Sequence, residues 1–343
     1  MWPAPVKTQR LLSVTLLTLP VLTLGCRSSK PPLSEKLSPS VLDLAVIPRT
    51  PQRLARGKYL VEGLAHCPLC HSEIDWKNRG SQPLPGKEGG GNIFPPEESL
   101  IPLPYRVVAP NISSDPEYGA GKWKDSDFVR ALRQGIGHDG RTLCTLMPYS
   151  YFRDLSDEDL ASVIVYERSL APVHIERPKS VLPEEIKQTL QPLPPVEHVP
   201  DADRSDPVRY GQYLVTVGQC DLCHTPIDEK FNPLPGLEFA GGNLFIGPFG
   251  PTVASLNLTP DPSGISYFDE RMFIEAIRTG KVKARLLSNA MPWGYFRNLS
   301  DNDLKTIFAY LRTLKPIKHR VDNTEPPTYC KLCRSKHGFG NMN

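Results

Sequence analysis

Two five-residue stretches hold the residue types that could do redox and metal chemistry. Residues 67–71 read Cys67-Pro68-Leu69-Cys70-His71, and residues 220–224 read Cys220-Asp221-Leu222-Cys223-His224. Cys-x-x-Cys-His is the attachment signature of a c-type haem. The two thiols add to the two vinyl groups as thioethers, and the histidine that follows is placed to ligate the iron. The alternatives are two disulfides or two halves of a zinc site. A zinc site made from two Cys-x-x-Cys pairs spaces them by roughly 15–20 residues, whereas these pairs lie in different halves of the chain and each is followed by histidine. The pattern predicts two covalently attached haem c groups. Cys67, Cys70, Cys220 and Cys223 would form the bonds, and His71 and His224 would be iron ligands.

The second axial position decides what such a centre does. Methionine there raises the potential and favours electron transfer, histidine lowers it, and an open position admits small molecules. Met147 and Met291 stand at matching places in the two halves, and both are followed by proline and aromatic residues: Met147-Pro148-Tyr149 and Met291-Pro292-Trp293. Both sit in a loop and not on a helical stripe, and proline fixes the chain beside the sulfur. They are expected as axial ligands, against the alternative of gap-filling core methionines. His138 and Cys144 lie in the same region of the first half, but their counterparts carry no histidine and a serine, Ser288. They read as a surface histidine and a buried thiol.

The elements that must position these residues occur twice. Gly57-Lys58-Tyr59-Leu60-Val61 matches Gly211-Gln212-Tyr213-Leu214-Val215. Gly90-Gly91-Asn92-Ile93-Phe94 matches Gly241-Gly242-Asn243-Leu244-Phe245, and Asn111-Ile112-Ser113 matches Asn257-Leu258-Thr259. Two long copies indicate a duplicated domain, not a solenoid. In each copy an amphipathic run leads into the cysteine motif: 53–65 and 209–217. Middle helices are expected over 126–134 and 269–279, with Gly135 and Gly280 at their C-terminal ends. Ser156 and Ser300, each followed by acidic residues, read as N-caps of last helices ending near Pro172 and Pro316. Little sheet is expected in the Gly- and Pro-rich loops between. The glycine runs at 89–91 and 241–242 serve either as turns or as close-approach backbone beside a haem edge.

The flanking segments complete the organisation. Residues 1–26 have the layout of an export signal, with Lys7 and Arg10 ahead of a short, interrupted apolar run. The run ends in Leu22-Thr23-Leu24-Gly25-Cys26, which resembles a bacterial lipoprotein signal with Cys26 lipidated. The protein is therefore expected to be exported, on the periplasmic side, and anchored to a bacterial membrane by lipid. Residues 27–50 read as a tether, 51–177 as the first domain, 178–204 as a proline-rich linker, 205–320 as the second domain and 321–343 as a tail. The linker is either an extended spacer or a strap. Cys330 and Cys333 in the tail are expected to form a disulfide. His337 would add a third metal ligand, short of a closed tetrahedral set. The tail resembles a third haem motif without its histidine. A formal net charge of +3 gives no case for nucleic-acid binding.

Taken in order, these motifs resemble the cytochrome c subunits of bacterial membrane-bound alcohol, sorbitol and gluconate dehydrogenases. The resemblance covers residues 51–175 and 205–320. It implies a mainly α protein of two tandem class I cytochrome c-like domains, in which a helix carrying Gly57 or Gly211 crosses one carrying Tyr166 or Tyr310. It implies His71 and Met147 on one iron and His224 and Met291 on the other. It also implies a dehydrogenase as electron donor and a quinone or cytochrome as acceptor. Those subunits commonly hold three haems, and this chain has motifs for two. The expectation is an electron carrier, or the electron-transfer subunit of a dehydrogenase, not a catalyst. A dihaem peroxidase-like enzyme is the alternative, and a non-catalytic haem-carrying structural or sensor protein is a third reading.

Overall fold

The computed structural model describes residues 40–94, 106–229, 231–247 and 250–343. The expected export signal and Cys26 lie outside them. Within them the chain is mainly helical and is built twice from the same parts.

In the first unit, α1 (Pro51–Tyr59) starts at the Thr50 N-cap and runs on through a π turn over Leu60–Leu64. α2 (Cys67–His71) carries the first motif. A hairpin of β1 (Asn92–Phe94) and β2 (Val107–Ala109) follows. α3 (Asp125–Gln134) stops at Gly135 with φ of 71°, the left-handed conformation a C-terminal glycine supplies. α4 (Tyr149–Phe152) is a single turn after Met147-Pro148, and α5 (Asp157–Glu167) starts at the Ser156 cap, whose side chain accepts from Asp159 N–H. After α6 (Glu184–Thr189) the second unit repeats the plan. It comprises α7 (Pro207–Val217), α8 (Cys220–His224), the hairpin β3 (Leu244–Gly247) and β4 (Gly250–Ala254), and α9 (Glu270–Thr279), which ends at Gly280 with φ of 64°. A small ladder of β5 (Lys281–Val282) and β6 (Arg285–Leu286), then α10 (Trp293–Phe296) and α11 (Asp301–Leu311), complete it.

Each unit is organised by one helix crossing. α1 packs on α5, and α7 packs on α11. A Cβ on Gly57 would lie 2.0 Å from Ser162 O and 2.6 Å from Tyr166 Cβ. One on Gly211 would lie 2.0 Å from Thr306 O and 2.9 Å from Tyr310 Cβ. Only glycine allows backbones this close, so the expected crossing is present in both units.

Three segments differ from, or decide between, the expectations. Residues 40–50, assigned by composition to a tether, are packed instead: Ser40 Oγ bonds Asp157, Ile47 N–H donates to Asp125 at 2.7 Å, and Ile47 is buried. Residues 178–204 act as a strap on the first unit. Val181 N–H donates to Arg106 O, Leu193 N–H to Gln134 O, and Val199 O accepts from Asp157 N–H. The tail folds as a further hairpin, β7 (Pro327–Tyr329) with β8 (Lys336–Gly338), and Asn323 ties it to Ala254 of β4 through bonds of 2.7 and 2.9 Å.

The two units share a single continuous apolar core, with Leu60, Leu64, Leu160 and Ile164 from one and Leu214, Leu299, Leu304 and Leu311 from the other all essentially inaccessible. No helix among the described residues is long and apolar enough to cross a membrane.

Candidate haem sites

The cysteine motifs enter their short helices through residues with left-handed backbone, His66 (φ 40°) and Gln219 (φ 57°). This tight turn sets α2 against the end of the first unit's opening helix, and α8 against α7. Cys67, Cys70, Cys220 and Cys223 are all free thiols. Burial pushes the Cys70 thiol up to about 11 and those of Cys220 and Cys223 up to about 12, and it raises Cys67 as well. None is a ready thiolate, so nucleophilic catalysis by these cysteines has no support in their surroundings.

Both motif histidines are oriented by the same device. His71 Nδ1 lies 2.9 Å from Pro110 O, and His224 Nδ1 lies 2.7 Å from Leu256 O. A carbonyl oxygen only accepts, so Nδ1 carries the proton of the neutral ring and Nε2 keeps a lone pair. Burial pushes both imidazoles toward that neutral form. The accepting carbonyls immediately precede Asn111 and Asn257, whose side chains clamp the loop. Asn111 Nδ2 donates to Val173 O and Ile175 O, and Asn257 Nδ2 donates to Ile317 O and His319 O. The glycine runs do local work of the same kind. Gly91 N–H donates to His71 O at 2.8 Å, and Gly241 N–H donates to His224 O at 2.6 Å.

The methionine loops are held from the far side. Arg133, near the end of α3, bonds Arg153 O and pairs with Asp157 at 2.8 Å. Arg278, near the end of α9, bonds Arg297 O and pairs with Asp301 at 2.6 Å. Each arginine therefore pins the segment just after its methionine loop to the start of the last helix. Tyr149 and Trp293 close the near side, because their rings lie where a Cβ on Gly135 or Gly280 would be.

One cavity of about 2040 Å³ is lined by Cys67, Cys70, His71 and Met147 and also by Cys220, Cys223, His224 and Met291. Both predicted sets therefore border a common space. His138 is exposed at the cavity edge and stacks on Trp123, with ring centroids 4.3 Å apart. Cys144 is half-buried, and its carbonyl accepts from Met147 N–H, as Ser288 O accepts from Met291 N–H.

The residue types at the sites were legible in the sequence, but the exchange between units was not. Tyr151, in the first methionine loop, donates to Asp221 of the second motif at 3.1 Å. Tyr295, in the second loop, donates to Ser81 O at 2.8 Å and lies beside Cys67 and Cys70. The matched Tyr in Met-Pro-x-x-Tyr was the available signal. Glu167 was also missed. It is buried against Cys67, and its Oε2 has no hydrogen-bond partner among the described residues.

This chain repeats a glycine-limited helix crossing, a cysteine-histidine motif and a methionine loop in tandem, the architecture expected of two class I cytochrome c-like domains. Its curated relatives agree at the level of distant homology. It is 26% identical over 304 residues to the cytochrome c subunit of the quinone-dependent alcohol dehydrogenase of Gluconobacter oxydans, covering 84% of this chain and 60% of that protein. It is 28% identical over 278 residues to the cytochrome subunit of the fructose dehydrogenase of Gluconobacter japonicus, covering 76% of this chain and 52% of that protein. A dihaem c-type cytochrome of Cereibacter sphaeroides is 29% identical over 167 residues, 47% of this chain and 53% of that one. The chain thus spans less than two thirds of each of these relatives. No family model matches it.

Proposed function

We propose that the protein is an exported dihaem cytochrome c that passes electrons singly from a dehydrogenase to a quinone or cytochrome acceptor. The observation that carries this reading is the common cavity, bordered by two complete Cys-x-x-Cys-His and methionine sets. The residues fit the group. Four unpaired thiols, two neutral imidazoles with free Nε2 and two thioether sulfurs face one largely apolar space. Haem, when bound, supplies a reversible one-electron couple. Cys67 and Cys70, and Cys220 and Cys223, would hold it covalently. His71 with Met147, and His224 with Met291, would be the axial ligands.

The chain's own contribution is position and exclusion. The Nδ1–H bonds to Pro110 O and Leu256 O fix each histidine ring and make Nε2 a better donor. The arginine clamps hold each methionine loop, and the shared apolar core keeps water out. Two adjoining sites in one chain suit a two-electron donor that releases electrons in succession. Dehydrogenase subunits among the relatives support such a donor, and lipid at Cys26 would keep the carrier at a membrane.

The test is purification from membranes, with haem counted per chain, the mature N-terminus weighed and associated proteins identified. Two haems, c-type reduced bands and a lipidated Cys26 are expected. Met147→Ala or Met291→Ala should lower the potential of its own site, by a sizeable part of the roughly 0.8 V over which axial ligands act, without losing haem. If either variant leaves both potentials unchanged, the ligand assignment fails. Rapid peroxide turnover, or a high-spin ferric site in the wild type, would favour the peroxidase-like alternative, which needs an open position that the matched methionines argue against.

A further inference from the structure

The tail holds a second kind of site, separate from the cysteine-histidine motifs. Its two cysteines are free thiols and not a disulfide. They meet two histidines, one of which lies outside the tail. His319, Cys330, Cys333 and His337 are all buried, with exposures of 0, 0, 3 and 2%. One ligand atom from each lies within 4.8 Å of all the others. Cys330 Sγ is 3.4 Å from His319 Nε2, and Cys333 Sγ is 3.3 Å from His337 Nε2. Tetrahedral zinc with Zn–S of about 2.3 Å and Zn–N of about 2.0–2.1 Å has edges of roughly 3.3–3.8 Å. The observed separations sit at that scale.

We propose that these four residues bind one structural zinc ion. The histidines are prepared for it. His319 Nδ1 lies 2.8 Å from Ala240 O, and His337 Nδ1 lies 3.0 Å from Gly338 O. Both protons are therefore on Nδ1, and both Nε2 lone pairs point at the thiols, the outer-sphere arrangement metal-bound histidines use. The charge also balances. Two thiols lose their protons to solvent on binding, and the two thiolates offset the 2+ charge, leaving a neutral buried centre. A closed set of two sulfurs and two nitrogens selects zinc in a structural role.

The surrounding backbone makes room for the cluster. Cys330 and Cys333 lie in the turn joining β7 to β8, closed by Cys330 N–H to Ser335 O at 2.8 Å. Gly242, with φ of 105°, faces them. A Cβ there would lie 2.9 Å from His319 Cε1 and 3.0 Å from Cys333 Sγ. Among the described residues the first unit has no equivalent: the carbonyl that Asn111 holds belongs to Ile175, where Asn257 holds that of His319. Cys333, Arg334, Ser335 and Tyr329 form part of the cavity wall. The ion would therefore fasten the tail over the second site and not over the first.

The experiment uses the full chain, purified without chelator or histidine tag. Metal analysis should find one zinc per chain, and zinc-edge X-ray absorption should show two sulfur and two nitrogen neighbours. Cys330→Ser/Cys333→Ser should lose that zinc. In it, the absorption spectrum and potential of the second haem should shift while those of the first stay put. Several results overturn the site: wild-type protein free of zinc with reactive thiols, a Cys330–Cys333 disulfide in its place, an oxygen-rich zinc shell, or zinc retained by the double variant. The absorption measurement on wild-type protein decides the matter even if the double variant does not fold.

Discussion

At the scale of single residues, the two sites are not twins. Glu167 ends α5 inside the cavity beside Cys67, and the equivalent position in α11 is Leu311. Burial pushes the Glu167 carboxyl up to about 8, so it holds its proton at neutral pH. The folded state binds this proton more tightly than the unfolded chain does. Its contribution to stability is thus complete below about pH 4.5 and is lost as pH rises toward 8. On the dihaem reading, a carboxylate forming above pH 8 favours the oxidised, more positive centre. The first site's potential should then fall with pH at a limiting slope of about 59 mV per unit. Glu167→Gln keeps the shape and should flatten that dependence at the first site alone. A wild-type first-site potential that is flat from pH 6 to 10 would remove the role assigned to this carboxyl. Local chemistry did not single out Glu167, since one acidic residue at the end of a helix is normally solvated. His319 was hidden differently. It lies beyond the last helix, well ahead of Cys330, and becomes a ligand only when the tail folds back.

At the scale of elements, most of the architecture was readable from local chemistry. The Ser156 and Ser300 caps, the Gly135 and Gly280 stops and the amphipathic middle helices fall where backbone satisfaction puts them. The last helices end at Glu167 and Leu311, a turn before the prolines expected to stop them. The π turn at Leu60–Leu64 had no signature, because it is a response to packing. Residues 40–50 look like a tether by composition, yet Ile47 is buried and its amide is held by Asp125. The crossing glycines are the elements' most exacting positions. Gly57→Ala or Gly211→Ala puts a methyl group into a carbonyl oxygen, and the helices must part to admit it. Each should cost about 3 kcal/mol, the upper end of ordinary overpacking. Denaturant midpoints measure this, and an unchanged midpoint for both variants would mean that the helices do not cross so closely.

At the scale of the whole molecule, the two units are joined by a pair of contacts that repeat the internal duplication. Tyr59 of α1 donates to Asp303 of α11 at 2.6 Å, and Tyr213 of α7 donates to Asp159 of α5 at 2.6 Å. Each phenol oxygen also accepts the N–H of the N-cap serine in the other unit, Ser300 or Ser156. Both tyrosines stand in the repeated Gly-x-Tyr-Leu-Val sequence and both aspartates in the repeated Leu-Ser-Asp-x-Asp-Leu. The motifs that define one unit thus also join it to the other. The same exchange recurs at the cavity, through Tyr151 and Tyr295. Beads on a string would unfold separately, but units sharing a core and reciprocal part-buried hydrogen bonds should unfold together. A single cooperative transition is therefore expected, with coincident loss of helix and of the absorption signals of both sites. Tyr59→Phe and Tyr213→Phe each leave a buried aspartate short of a donor, and each should lower the unfolding free energy by about 1–3 kcal/mol. Arg56 lies over the Tyr59 ring and pairs with Asp159 at 2.7 Å, so the two contacts belong to one network, and the double variant should depart from the sum of the single losses. Two well-separated transitions in the wild-type protein would show that the units are independent. In that case the continuity of the cavity between the two motifs could not be maintained by this interface.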